Sequence, residues 1–141
     1  MADRFTLIVN TPDREFYRGD ATMLELTTSE GDIGIYAGHI PLTAVIVPGV
    51  MTIHTDEGIK KAAVHGGIIE ILQSQVNVLA EVAEWPEEID VNRANEARIR
   101  AERRLKSSDA DVNIVRAEMA LKRSLARINA VDSVSYTHLT L

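Results

Sequence analysis

The 141-residue chain contains no cysteine. That absence excludes a disulfide framework and every thiolate-ligated zinc or iron–sulfur centre, and it fits a reducing compartment. Glycine and proline are missing from the second part of the chain: all eight glycines precede residue 68 and all four prolines precede residue 87. Aromatic side chains make up only 4% of the sequence, and none falls between residues 86 and 135. A base-stacking platform for nucleic acid is therefore excluded there. The longest apolar stretch, Ile40 to Met51, is interrupted by Pro41 and Pro48 and is too short to span a bilayer. Met1-Ala2-Asp3-Arg4 leads straight into a strand-like pattern without a secretory signal, so a soluble protein is expected.

Catalytic and metal motifs are also wanting. His39, His54, His65 and His138 are isolated in sequence, with no H-x-H, H-x-x-x-H or H-E-x-x-H spacing. That argues against a histidine metal site. Neither a G-x-S-x-G elbow nor a G-x-x-x-x-G-K-[ST] phosphate loop occurs. A non-catalytic protein is expected, and turnover by the isolated chain would be needed to revive an enzyme reading.

What is present is divided sharply. The net charge is −6, from 15 basic and 21 acidic residues, which disfavours a polyanion partner for the whole molecule. Residues 1–89 hold five basic and 14 acidic side chains; residues 90–141 hold ten and seven. An acidic part punctuated by glycine and proline is followed by a basic part free of both, which implies two architectures.

The first part reads as short strands. Phe5 to Val9 ends at the turn cluster Asn10-Thr11-Pro12-Asp13, and Thr22, Leu24 and Leu26 alternate with Met23, Glu25 and Thr27. Val50–Thr55 and Lys60–Val64 flank Asp56-Glu57-Gly58, and Ile68–Leu72 and Val76–Ala80 flank Gln73-Ser74-Gln75. Turns this frequent favour a β-sandwich or small barrel. After Trp85-Pro86 the period changes. Ala94, Ala97, Ala101 and Leu105 form one helical stripe, and Ile114, Ala117, Leu121, Leu125 and Ile128 form another. The polar segment between them offers Asp109 or Asp111 as the N-cap of the second helix. The short connection predicts an antiparallel hairpin, and its thin alanine seam predicts weak attachment.

The string Gly31-Asp32-Ile33-Gly34-Ile35-Tyr36-Ala37-Gly38-His39-Ile40-Pro41-Leu42, with Pro48-Gly49 and Gly66-Gly67-Ile68-Ile69-Glu70, resembles the epsilon subunits of F-type ATP synthases. The match extends over roughly residues 3–131. As residue patterns, the string reads as a loop-and-turn unit, and Glu30 and Asp32 read equally well as a solvated turn. The resemblance implies a β-sandwich of about ten strands over residues 1–86 and a regulatory two-helix hairpin over residues 87–131. It implies a rotor position against the gamma subunit and the ring of c subunits, peripheral to the cytoplasmic face of a bacterial plasma membrane. The acidic edge Glu30-Gly31-Asp32 would face the c-ring loops, and His39 would be a structural histidine at a subunit contact. Residues 132–141 have no counterpart in the family, and no function is drawn from them.

Most of the hairpin arginines suit a solvated, salt-bridged face. However, Ile89-Asp90-Val91-Asn92-Arg93-Ala94 resembles the [I/L]-D-x-x-R-A motif of epsilon subunits that bind ATP. Glu84 stands six residues before Asp90, and Arg123 and Arg127 stand four apart on the second helix, as in those members. Arg93, Arg123 and Arg127 would clamp phosphates, while Asp90 and Glu84 would accept bonds from ribose or the adenine amino group. Asp90 also suits the N-cap of the first helix. The resemblance implies ATP as a regulatory ligand of a compact hairpin, and an extended state that meets the α/β catalytic head and blocks hydrolysis. The alternative is a free-standing ATP-sensing module, which co-purification with gamma would discriminate.

Overall fold

The computed structural model describes residues 3–107 and 113–139, with side chains as far as residue 132. Its described elements are eight strands, a short 3-10 turn at Pro86–Glu88 and two helices. The strands are β1 (Phe5–Asn10), β2 (Glu15–Ala21), β3 (Met23–Thr28), β4 (Gly31–Tyr36), β5 (Leu42–Val45), β6 (Gly49–Thr55), β7 (Gly58–Ile71) and β8 (Gln75–Glu84). The helices are α1 (Val91–Lys106) and α2 (Ile114–Leu139).

Strict alternation of buried and half-buried side chains builds the core. In β1, Phe5, Leu7 and Val9 are buried and their neighbours are not; in β3, Leu24, Leu26 and Thr28 are buried. Period two places these side chains on one face, where they meet Ile35, Met51, Ile53, Ile69, Ile71, Val76 and Val78 in a single core. The ladder runs β2-β1-β8-β7-β6-β3-β4, with β5 also pairing β7. All pairings are antiparallel except β1 with β8. This ladder folds over the shared core as a β-sandwich, so eight strands replace the ten or so expected.

Much of the difference lies in β7. The segments Lys60–Val64 and Ile68–Leu72, expected as separate strands, fall, all but Leu72, in one 14-residue strand bent at Gly66 and Gly67. Both glycines have positive φ, 75° and 116°, and a Cβ on Gly67 would lie 2.1 Å from the Leu79 carbonyl oxygen. The bend therefore keeps the chain within the β8 ladder, whose register is the same before and after it. On its other side β7 pairs with β5 and then β6, and Val47-Pro48 separates those two strands where proline has no N–H to give.

The glycine string is also more regular than expected. Gly31–Tyr36 is strand β4, because Ile33 and Ile35 alternate with Asp32 and Gly34 and pair with Leu26 and Leu24. At the Asp56-Glu57-Gly58 turn the outcome matches the expectation: Thr55 pairs with Gly58 across a tight β6–β7 hairpin.

Ala62, Ala63, Val64 and His65 are four consecutive buried residues in β7. Such a run requires cover on both faces. Ala62 and Val64 face the sandwich core, while Ala63 packs with Ala126 and Ala130 of α2, beside Val50 and Ile89. Thus α2 lies on the outer face of β6 and β7, and α1 lies on α2. In α1 the alanine stripe is as expected, with Ala94 and Ala101 buried. The α2 stripe differs in part: Ala117 is buried as expected, but further along Ser124, Ala126 and Ala130 are buried, Leu121 and Ile128 are only half-buried, and Ile114 and Leu125 are exposed. Small residues win because β7 already presents a small residue, and the close approach excludes larger side chains. The N-cap of α2 is Asn113, whose Oδ1 accepts the Arg116 N–H at 3.0 Å. Asp109 and Asp111 lie outside the described residues. The α2 backbone continues through residues 132–139, where no glycine or proline stops it.

Candidate ligand site at the sandwich–hairpin junction

Strand β8 ends at Glu84, opposite Ala63, and Trp85-Pro86 turns the chain out of the sheet. Trp85 stacks on Phe16 with ring centroids 4.2 Å apart, and Tyr17 meets it edge-on at 6.3 Å. Arg14 lies over Phe16 and forks onto Glu88, at 2.8 and 2.9 Å to its two carboxylate oxygens. Glu88 Oε1 also accepts the Trp85 N–H at 2.9 Å. The Arg14 bond, aided by the Trp85 N–H, holds the Glu88 carboxyl below its ordinary value. The junction is thus fastened to the sandwich before the first helix begins. Asp90 then caps α1, its Oδ1 accepting the Arg93 N–H at 3.1 Å.

A cavity of about 450 Å³ opens between the end of β8, α1 and α2. Its charged lining is Glu84, Glu88, Asp90, Arg93, Arg100 and Arg127. Ile89, Ala94 and Ala97 supply an apolar wall. Arg127 Nε donates to Glu84 Oε1 at 2.8 Å, tying α2 to the sandwich. His65 Nε2 approaches the same oxygen at 3.0 Å from β7. Arg93 and Arg100 have no ion-pair partner among the described residues. They lie two helical turns apart on one face of α1, so their guanidiniums converge on the same side. Unpaired arginines beside an apolar wall, with fixed acceptors opposite, fit a ligand that is anionic at one end and carries hydrogen-bond donors at the other.

Burial pushes the Glu84 carboxyl up, but the bonds from His65 and Arg127 outweigh it and hold it below the ordinary value of 4.5. A carboxyl depressed in the folded state contributes stability that is complete above 4.5 and disappears as pH falls through its lowered value. Acidification is therefore expected to loosen the docked hairpin only below the usual carboxylate range. Methyl resonances of Ala126 and Ala130, followed between about pH 7 and pH 3, should move there before those of Leu7 and Ile69. A transition centred above pH 5 (roughly half a unit over the ordinary value) would contradict this order.

Of the five residues expected to bind ATP, the structure brings together Glu84, Asp90, Arg93 and Arg127. Arg123 is half-buried one turn before Arg127, does not line the cavity, and makes no ion pair among the described residues. His65, Glu88 and Arg100 were not anticipated. Arg100 was discoverable, since it follows Arg93 at the i, i+7 spacing of one helix face. His65 was not, because its partner lies across a strand pair.

The expected subunit-contact residues do not form one patch. Glu30, Gly31 and Asp32 sit at the β3–β4 turn, and His39 follows the far end of β4, roughly 20 Å away at about 3.3 Å per residue. Glu30 is exposed; Asp32 accepts from Thr27 Oγ1 at 2.7 Å and borders a separate cleft facing Lys122 of α2. His39 Nδ1 lies 2.7 Å from the Ile40 carbonyl oxygen, between the exposed Tyr36 and Ile40. Among the described residues, no three acidic or histidine side chains are grouped to hold a metal ion, and no helix is long and apolar enough to cross a membrane.

Residues 4–86 match the family described as ATP synthase, delta/epsilon chain, beta-sandwich domain, and residues 87–132 match its long alpha-helix domain. The chain belongs to the ATP synthase epsilon chain family. An ATP synthase epsilon chain of Caldanaerobacter subterraneus is 43% identical over 129 residues, covering 91% of this chain and 94% of that one. One from Clostridium novyi is 43% identical over 132 residues, covering 93% and 100%. A chain in the Euglena gracilis mitochondrial ATP synthase structure shares the fold, with a TM-score of 0.78 at 22% identity over 93% of this chain and 81% of that one.

Proposed function

We propose that this epsilon-family chain serves as a non-catalytic central-stalk subunit of an F-type, proton-translocating ATP synthase at the cytoplasmic face of a bacterial membrane. In this role its sandwich meets the gamma subunit and the c-ring, and its hairpin regulates ATP hydrolysis according to ATP level. Family membership supports the stalk role. The junction cavity supports the regulatory one, and the observation that carries it is the pair Arg93 and Arg100, which have no carboxylate partner among the described residues and share the cavity with Glu84 and Asp90. In the contact role, the exposed Glu30 edge meets basic c-ring loops with salt-sensitive strength, while the apolar surface around His39 makes a second contact.

The residues present fit a nucleoside triphosphate. Arg93, Arg100 and Arg127 would hold its phosphates, and Glu84 and Asp90 its sugar or base donors. Such a ligand engages the sandwich, α1 and α2 together, so it binds only when the hairpin is folded down. Differential affinity of that kind shifts the population toward the compact state in proportion to ligand concentration. At low ATP the hairpin would open, and α2, held to the sheet chiefly by alanines, would rise toward the α/β head and obstruct rotation in the hydrolysis direction.

Calorimetric titration with ATP and then ADP tests this reading, both on the full chain and on a form ending at Val131. Saturable, ATP-selective binding by both is expected. No binding at millimolar ATP (about 4 kcal/mol of affinity or less) would leave the stalk role and return Asp90, Arg93 and Arg127 to capping and partner contacts.

A further inference from the structure

Among the described residues, His65 at the sandwich–hairpin junction carries a buried side-chain nitrogen that makes no hydrogen bond. It stands two positions after Ala63 on β7 and is 3% exposed, beside the Glu84 carboxylate that Arg127 of α2 also bonds. Its Nδ1 is buried with no hydrogen-bond partner. Leaving that nitrogen unsatisfied works against folding, whereas an apolar residue there would not. The one bond the ring does make is Nε2 to Glu84 Oε1 at 3.0 Å. With an ionised acceptor, that bond requires the proton on Nε2.

We propose that His65 is a positioning residue for the junction cavity: together with Arg127 it pins Glu84 Oε1, so that Oε2 is the acceptor Glu84 offers to a bound ligand. Both protein donors converge on Oε1, at 3.0 and 2.8 Å, and Oε2 receives no bond from the described residues. Glu84 itself lines the cavity. A carboxylate fixed in this way is acceptor-only. It selects a ligand edge bearing an amino or hydroxyl donor and rejects one presenting a carbonyl, because two facing acceptors leave both unpaired. The proposal rests on the nucleotide reading of the cavity and gives His65 the aiming of its acceptor, which is read out as the strength of the preference for an amino-purine over an oxo-purine. The charged groups around Glu84 are His65 from β7, Arg127 from α2, Glu88 from the 3-10 turn, and Asp90, Arg93 and Arg100 from α1. Among the described residues, only His65 and Arg127 bond to it.

The test uses the full chain and three variants. In His65→Gln the amide nitrogen reaches the place of Nε2; in His65→Asn it falls short; His65→Leu has no donor. The side-chain carboxyl carbon of Glu84 is titrated by NMR, and binding of ATP and of inosine triphosphate is measured by calorimetry. The expected result is a Glu84 midpoint raised by about one pH unit in His65→Leu and His65→Asn, with His65→Gln close to wild type. The preference for ATP over inosine triphosphate should fall about tenfold in the first two and return in the third. If all three variants share the wild-type midpoint and preference, or if Asn serves as well as Gln, the positioning role is overturned. If no form binds either nucleotide but the midpoints still separate, His65 positions Glu84 and the nucleotide reading is what fails.

Discussion

Replacing Gly67 with alanine is expected to lower the melting temperature of the sandwich by on the order of 10–20 °C, the equivalent of about 3 kcal/mol. Two effects combine. The backbone at Gly67 has φ +116°, a region that a Cβ strains, and the added methyl would stand 2.1 Å from the Leu79 carbonyl oxygen and 2.8 Å from Ala80 Cα. Those atoms belong to the β8 backbone and cannot swing aside as a side chain would. Gly31→Ala is the internal control. Its φ is +117°, but a Cβ there meets nothing within 4 Å, so strain acts alone and about 1 kcal/mol is expected. Differential scanning calorimetry of both variants checks the contrast. Equal losses would show that φ strain dominates and that β7 does not depend on its close approach to β8.

Arg127→Ala is expected to release the hairpin while leaving the sandwich folded, and to weaken ATP binding by about 10- to 100-fold. Arg127 bonds Glu84 at the α2–sandwich contact, and it also lines the cavity where phosphates would lie. Among the described residues, the buried apolar cluster that holds α2 on the sheet is Ala63, Ala126 and Ala130, with Val50 and Ile89 beside them. Alanine methyls bury little area, so this patch has a small reserve against the loss of a half-buried, charge-assisted bond. Hydrogen exchange should show faster exchange for amides of α2 with little change in β1 and β7. Unaltered α2 protection would mean that the alanine seam alone holds the hairpin, and unaltered ATP titration would remove Arg127 from the site.

How far the sequence anticipated this arrangement depended on whether the signal was local. The two architectures were legible because period two gives way to helical spacing after Trp85-Pro86, and because glycine and proline stop there. Strand count was not. Gly66-Gly67 looks like punctuation, yet it bends one strand without ending it, and that depends on a register with β8 invisible along the chain. The glycines in Gly31–Tyr36 concealed the alternation of Ile33 and Ile35 for the same reason. On the helices, spacing located the α1 seam but only Ala117 of the α2 seam, since Ala126 and Ala130 are buried against Ala63 on a distant strand. At the site, Glu84, Asp90, Arg93 and Arg127 came from a motif and meet around one cavity. Arg123 shares a helix face with Arg127, but it stands one turn earlier and does not line that cavity. His65 reaches Glu84 across paired strands, and single-sequence patterns carry no such information.

The parallel pairing of β1 with β8 has a bearing on how the molecule assembles. Thr6 through Asn10 find their partners in Gln75 through Leu79, about seventy residues later, so this contact has the largest loop to close in the sandwich. Until β8 has left the ribosome, β1 has only β2 beside it, and one edge of a half-built sheet stands open. Closure and hairpin emergence are therefore consecutive events in synthesis: the strand that completes the sandwich ends at Glu84, and the helix that follows starts at Val91. A chain interrupted before Gln75 would carry an unpaired edge prone to aggregation, whereas one interrupted after Pro86 would carry a finished sandwich. The boundary between the two architectures thus doubles as a checkpoint in time, separating the part that must fold as a whole from the part that is added to it afterwards.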